Sequence, residues 1–251
     1  SSWKTPRMAL TGIGAEVEGL HAVAAAVEAG RVERLLVERP RLERPEVTRL
    51  VERAAEAGAQ IEVVDDVRPY AASSVPQGLV AKGRPIPLRE LGELVDPAPA
   101  ALIVLDHLED PHNVGAVARS SLAAGATGLV VPTRRASPLG PTAFKAAAGA
   151  LERLPVCALS STADAVQRLG KLGVWTVGLT ADGVESLFGL PLLSEPVAVV
   201  VGGEGRGLSR LAAERVDVSA RIPMARGTES LNASVAAALA AFEIARVRGS
   251  L

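Results

Sequence analysis

From Ala101 to the carboxyl end, short apolar runs alternate with longer helix-patterned segments, and no other feature narrows the possible folds as far. The patterning predicts strands at 101–105, 128–131, 155–159, 174–179, 197–201 and 218–222. It predicts helices at 113–124, 142–150, 162–172, 208–214 and 230–247. The run Val197-Ala198-Val199-Val200-Val201 is apolar at every position, so both of its faces need cover. Repeated strand–helix units of this kind predict an α/β fold, a mainly parallel sheet with helices on both sides. Such sheets bind ligands beyond the carboxyl ends of their strands, where the loops at Gly202 and Pro223 fall.

A smaller α/β module precedes this region, over 14–84. A helix from His21 to Glu28 ends at Gly30, and Val32–Val37 reads as a strand. A second helix near Glu46–Ala57 puts Val47, Leu50, Val51, Ala54 and Ala55 on one face and stops at Gly58. Strands follow at 61–64 and 78–81. Residues 85–100 hold Pro85, Pro87, Pro97 and Pro99, a linker composition with room for one short helix. Residues 1–13 lack periodicity and read as a flexible start. The domain plan is therefore 1–13, 14–84, 85–100 and 101–251.

Composition mainly excludes. Aromatic residues are only 2 % of the 251, too few for a platform on which single-stranded nucleic acid stacks. The net charge of −1 is spread evenly over both halves, so any nucleic-acid contact must come from a local patch. The single cysteine, Cys157, rules out an internal disulfide and a Cys-rich zinc site, and no metal is expected. Its setting, Pro155-Val156-Cys157-Ala158-Leu159, reads as a buried strand. No apolar run approaches the ~18 residues of a membrane span, and the start lacks a signal-peptide pattern. No membrane association is expected, and the expected location is cytoplasmic.

Three segments carry chemistry. The strand ending at Val201 runs into Gly202-Gly203-Glu204-Gly205-Arg206-Gly207. This is neither GxxxxGK[ST] nor GxGxxG; four glycines in six positions suggest backbone pressed against a ligand, whereas a tight turn alone explains two. Downstream, Ile222-Pro223-Met224 offers apolar walls, and Glu229-Ser230-Leu231-Asn232 clusters polar groups before an alanine-rich helix. N-capping by Ser230 accounts for only one of them. The third segment is Asp110-Pro111-His112-Asn113-Val114-Gly115-Ala116-Val117-Ala118-Arg119. In a helix begun at Asn113, Arg119 lies about 240° around the axis. The plain reading makes Asn113 an N-cap and Arg119 a solvated charge.

Together these three segments resemble the motifs of the SpoU/TrmH family, S-adenosylmethionine-dependent RNA ribose 2′-O-methyltransferases with a trefoil-knotted α/β domain. The resemblance implies catalytic roles for Asn113, Arg119, Glu229, Ser230 and Asn232. It implies cofactor contacts at Gly202, Gly203, Glu204, Gly205, Gly207, Ile222, Met224 and Leu231. Family members usually carry Ser or Ala where Gly203 stands. An arginine stays protonated, so Arg119 suits clamping a phosphate and orienting the 2′-OH better than taking its proton. The segment from Lys145 through the Ala148-Gly149-Ala150 pattern to Pro155 also resembles the family. Lys145, Arg153, Arg134 and Arg135 are candidates for RNA phosphate contact.

Gly19-Leu20-His21-Ala22-Val23 and Gln77-Gly78-Leu79-Val80-Ala81 resemble the ribosomal-protein-like substrate-binding domain of one branch, with Pro76 where a His is common. That layout implies 23S rRNA as the RNA partner, and the resemblance of the knotted domain implies a homodimer. A tRNA methylase or an antibiotic-resistance rRNA methylase of the same family, and a non-catalytic RNA-binding or assembly protein, are the alternatives. A Rossmann oxidoreductase would need glycines after 102–105, where Asp106-His107-Leu108-Glu109 stands.

Overall fold

The computed structural model describes residues 12–96, 99–133, 139–203, 205–226 and 230–250. They form two units, one holding the described residues up to Pro87 together with Leu139–Glu152, the other holding the rest.

In the first unit the chain forms β1 (Glu16–Glu18), α1 (Leu20–Glu28), β2 (Val32–Glu38), α2 (Pro45–Glu56), β3 (Gln60–Val64) and β4 (Leu79–Gly83). The sheet order is β1-β4-β2-β3, with β4 antiparallel to both neighbours and β3 parallel to β2. Helix α2 buries Val47, Leu50 and Ala54, three of the apolar positions its sequence spacing singles out. Strand β1 escapes sequence patterning because two of its three residues are glutamates. Glu18 is nevertheless buried, and its carboxylate is satisfied by the amides of Ala72 and Ser73 and by the Ser73 hydroxyl.

The second unit begins with α3 (Leu91–Val95), capped by a reciprocal Glu90/Glu93 box, whose Leu91 and Leu94 enter the core. Then come β5 (Ala101–Asp106), α4 (Pro111–Ala123) and β6 (Gly128–Pro132). Between β6 and the next strand the chain supplies the first unit with α5 (Pro141–Ala147) and most of α6 (Ala150–Arg153). It continues as β7 (Val156–Leu159), α7 (Thr162–Lys171), β8 (Trp175–Leu179), β9 (Glu185–Ser186), β10 (Val197–Gly202), α8 (Arg210–Arg215), β11 (Val218–Arg221) and α9 (Ala233–Arg248). Among the described residues the sheet has seven strands, all parallel, in the order β7-β6-β5-β10-β8-β11-β9. Its central strands are buried on both faces. Leu102, Val104, Ala198 and Val200 pack with Val166 and Leu169 of α7, whereas α9 packs on α4, β5 and β10.

Several boundaries differ from the sequence expectation for local reasons. The helix expected at 142–150 breaks, because Ala148 is left-handed (φ 48°) and Gly149 has φ 89°. A Cβ on Gly149 would lie 2.8 Å from that of Ala25 on α1, so the glycine permits a close approach within the first unit. Helix α4 starts at Pro111, not Asn113, because the Asp110 carboxylate accepts the His112 amide at 2.9 Å and caps it. Helix α9 starts at Ala233, and its cap is Asn232 rather than Ser230. Strand β9, two residues at the sheet edge, is too short for a sequence pattern to reveal. The flexible start expected at 1–13 lies outside the described residues except for its last two.

Candidate active site

A cavity of about 440 Å³ lies at the carboxyl ends of β8 and β10, the size of a pocket for a ligand such as a nucleoside. Gly202, Gly203, Gly205 and Gly207 form one wall, and Ile222, Met224 and Leu231 add apolar surface. Ser230 also borders it. Of the residues predicted from sequence for the cofactor, all but Glu204 line this one space; Glu204 lies outside the described residues.

The fold itself already requires glycine at these four positions, independently of any ligand. A Cβ on Gly202 would collide with the Gly207 carbonyl. One on Gly203 would sit 2.5 Å from the His107 carbonyl oxygen. Gly205 and Gly207 have open space but need φ of +72° and +62°. The turn is closed by Gly207 N–H donating to the Gly203 carbonyl at 3.1 Å, and Gly203 N–H donates to the Asp106 carbonyl at 3.0 Å. The chain thereby folds back on itself, with main chain as the cavity wall.

Sequence reasoning missed Leu179, Thr180 and Ala181, which complete the opposite side at the end of β8. The signal was present in principle. In a parallel sheet the carboxyl end of a strand adjacent to the glycine-turn strand must face the same crevice, but strand order is not readable from one sequence. Ala233 and Ala236 on the first turns of α9 close the floor.

Asn113 and Asn232, 119 positions apart, meet outside this cavity: the Asn232 Nδ2 donates to Asn113 Oδ1 at 3.1 Å. Asn232 Oδ1 meanwhile accepts the Ser234 amide at 2.9 Å and the Val235 amide at 3.4 Å. The side chain thus caps α9 and ties it to α4 in one geometry. Arg119 is not part of this contact. It stands exposed, two turns along α4, and forms no hydrogen bond or ion pair with another described residue. Glu229 lies outside the described residues. His112 is exposed at the start of α4. Among the described residues no group of His, Cys, Asp and Glu could hold a metal ion.

The phosphate candidates divide. Lys145 Nζ donates to Ser73 Oγ at 2.9 Å and to the Val75 carbonyl at 2.7 Å, so its charge is committed within the first unit. Arg153 is exposed, and Arg134 and Arg135 lie outside the described residues. In the same unit Arg31 is buried in an ion pair with Glu152 and lies 5.7 Å from the Phe144 ring centre, which fastens the 139–152 segment there. Among the described residues no helix is long and apolar enough to cross a membrane.

Residues 100–242 match the model of the SpoU rRNA Methylase family, and residues 17–88 that of the RNA 2′-O ribose methyltransferase substrate-binding domain. The chain is 37 % identical over 239 residues to an uncharacterized tRNA/rRNA methyltransferase of Synechocystis sp., covering 92 % of this chain but 62 % of that relative's length. It is 44 % identical over 177 residues to the 23S rRNA (guanosine-2′-O-)-methyltransferase RlmB of Xylella fastidiosa, covering 68 % of this chain and 71 % of the relative. The crystal structure of the SpoU methyltransferase AviRb from Streptomyces viridochromogenes, in complex with its cofactor AdoMet, superposes with a TM-score of 0.79 at 25 % identity, over 94 % of this chain and 91 % of that one. The 440 Å³ cavity, with apolar walls for a purine and main-chain groups along one side, fits S-adenosylmethionine, the cofactor this family uses. The chain belongs to the SpoU rRNA methylase family of RNA methyltransferases.

Proposed function

We propose that this chain methylates a ribose 2′-OH of 23S rRNA. The observation that carries the reading is the convergence of three distant segments: the glycine turn and the Ile222–Leu231 stretch on one cavity, and the Asn113–Asn232 hydrogen bond at the start of α9. S-adenosylmethionine, when bound, supplies an electrophilic methyl group. The apolar side chains of Ile222, Met224 and Leu231 would hold its base, and the glycine-turn amides and carbonyls would fix its polar edge. Asn113 and Asn232 hold each other, which fixes both side chains in one geometry at the start of α9, where the ribose would be placed. Arg119, exposed on α4 and long, would clamp a neighbouring phosphate by a two-pronged hydrogen bond and so place the 2′-OH. Ser230 borders the cavity, and Glu229 is assigned to organising the same edge. RNA docking is supported by a second cavity of about 320 Å³ in the first unit, where His21, Arg41, Arg44 and Gln77 converge.

The same proposal includes a trefoil knot in the second unit, as in the family, and a homodimer. Burial of the α9 side chains Val235 and Phe242 on their own sheet is not what is observed: they are 47 % and 41 % exposed. With Leu239 and Ser120 they line an apolar groove suited to a second copy. The purified chain, incubated with labelled cofactor and either 23S rRNA or tRNA, is expected to label a ribose in 23S rRNA. Label confined to tRNA would move the substrate class, and label in neither would favour the non-catalytic RNA-binding alternative.

A further inference from the structure

The cavity of about 320 Å³ in the first unit lies among the start of α1, the residues just before α2 and the start of β4. Leu20, Val47 and Leu79 give it apolar surface, and His21, Arg41, Arg44 and Gln77 border the same space. Its arginines are uncommitted. Arg39 pairs with Asp65, but the side chains of Arg41 and Arg44 form no hydrogen bond or ion pair with another described residue. The Glu38 carboxylate, beside Arg41 at Gly78, accepts the Val67 amide at 3.2 Å and does not border the cavity. Two glycines seat the polar groups. A Cβ on Gly78 would stand 2.6 Å from Arg41 Cγ and 2.7 Å from its Nε, and one on Gly19 would stand 2.7 Å from Gln77 Oε1. Gln77 is itself held at φ 60°, a conformation strained for any residue with a side chain, and such strain collects at binding sites. Its side chain forms no hydrogen bond with another described residue that would account for the strain.

We infer that this cavity receives one unstacked nucleotide of a single-stranded RNA segment. Two unpaired guanidiniums ask for a phosphate, which each can grip by parallel hydrogen bonds. A bare phosphate would leave the apolar surface of Leu20, Val47 and Leu79 uncovered. A duplex keeps its bases stacked inside and offers a recess of this kind only backbone. An extruded base brings a flat face for the apolar surface and for the His21 ring or the Arg41 guanidinium plane. It also brings a polar edge, to which Gln77 supplies both a donor and an acceptor. The volume suits one such group. The scarcity of aromatic residues does not count against it, because a single base needs a pocket and not a platform for successive stacks. That the nucleotide belongs to RNA rests on the function proposed above; a free mononucleotide shares the chemistry.

Calorimetry tests this on the full chain with a short single-stranded RNA, the same strand annealed to its complement, an abasic version of the strand, and AMP. The single strand should bind roughly tenfold more tightly than either the duplex or the abasic strand, the discrimination expected of one buried base. Gln77→Gly removes the amide at a φ that glycine adopts freely. It should hold or raise the melting temperature while weakening the single strand several-fold. Arg41→Ala combined with Arg44→Ala should weaken the intact and abasic strands alike and flatten their salt dependence. A duplex or an abasic strand that binds as tightly as the intact single strand would overturn the pocket. So would a Gln77→Gly chain of unchanged affinity. AMP binding as tightly as the single strand would overturn RNA as the source. These are binding measurements, so they can fail while methyl transfer to rRNA stands, and hold where it is not found.

Discussion

Arg119 is exposed on α4 and forms no hydrogen bond or ion pair with another described residue, so its removal should cost the fold little. In the proposed reaction it holds the neighbouring phosphate, and a misplacement of about an ångström can cost ~100-fold in rate. Arg119→Ala should therefore lose methyl transfer while retaining cofactor affinity, and Arg119→Lys, which keeps the charge without the fork, should lose somewhat less. Near-normal methylation of rRNA by Arg119→Ala would make it an ordinary surface charge. The glycines invite a paired test. Gly202→Ala drives a Cβ into the Gly207 carbonyl and should destabilise by about 1–3 kcal/mol with loss of cofactor binding. Gly205→Ala meets open space and only the strain of φ +72°, about 1 kcal/mol, so binding should largely survive. Equal effects in calorimetry would show that φ, not the close approach, governs the turn. Burial raises the Cys157 thiol to about 11, so it should resist thiol reagents at pH 8 until the chain is unfolded. Labelling in the native state would show that β7 opens.

Helix α9 is held at both ends by polar groups that its alanine-rich sequence hardly advertises. At its start Asn232 caps it. At its end the Arg248 guanidinium donates to the carbonyls of Leu193, Pro99, Ala100 and Glu195. Between them the buried Glu243 accepts the Gly189 amide at 2.6 Å and two Arg246 donors. The Arg246 hydrogen bonds, and then the Gly189 amide, outweigh burial and hold the Glu243 carboxyl below its ordinary 4.5. A carboxyl depressed in the folded state contributes stability that is complete above its unfolded value and is lost as pH falls through the folded one. Glu243→Gln should thus lower the melting temperature at pH 7, and the difference from the parent should shrink as the pH falls below about 4.5. A difference that is constant with pH would assign the loss to shape rather than charge.

At the scale of the whole molecule, the exposed groove of Val235, Leu239 and Phe242 is where a second copy would add apolar burial. Light scattering at micromolar concentration should give a dimer, and Phe242→Glu should give a folded monomer, since a stable interface does not tolerate an unpaired buried charge. A monomeric parent chain would remove the homodimer. The first unit should keep its fold only with the 139–152 segment present, because that segment carries Glu152 to the buried Arg31. An isolated 12–87 fragment is expected to melt well below the same fragment joined to 139–152.

Much of this was legible from the residues alone, because strand and helix periodicity, glycine and proline punctuation, and the three motif segments are local properties of the chain. They placed the central strands of the second unit and most residues of the large cavity. Other features depend on which distant segments meet. Gly202 and Gly203 are required by the carbonyls of Gly207 and His107, the latter contributed by a segment nearly a hundred residues earlier. The cap of α9 is Asn232 because Asn113 fixes its side chain from α4. The Leu179–Ala181 wall follows from β8 lying beside β10, an order no run of residues encodes by itself. Residues 139–152 lie within the sequence span of the methylase match but pack with the first unit, through Arg31–Glu152 and the close approach of Gly149 to Ala25. Periodicity reports which face of a segment is apolar; only the packed structure decides what that face meets.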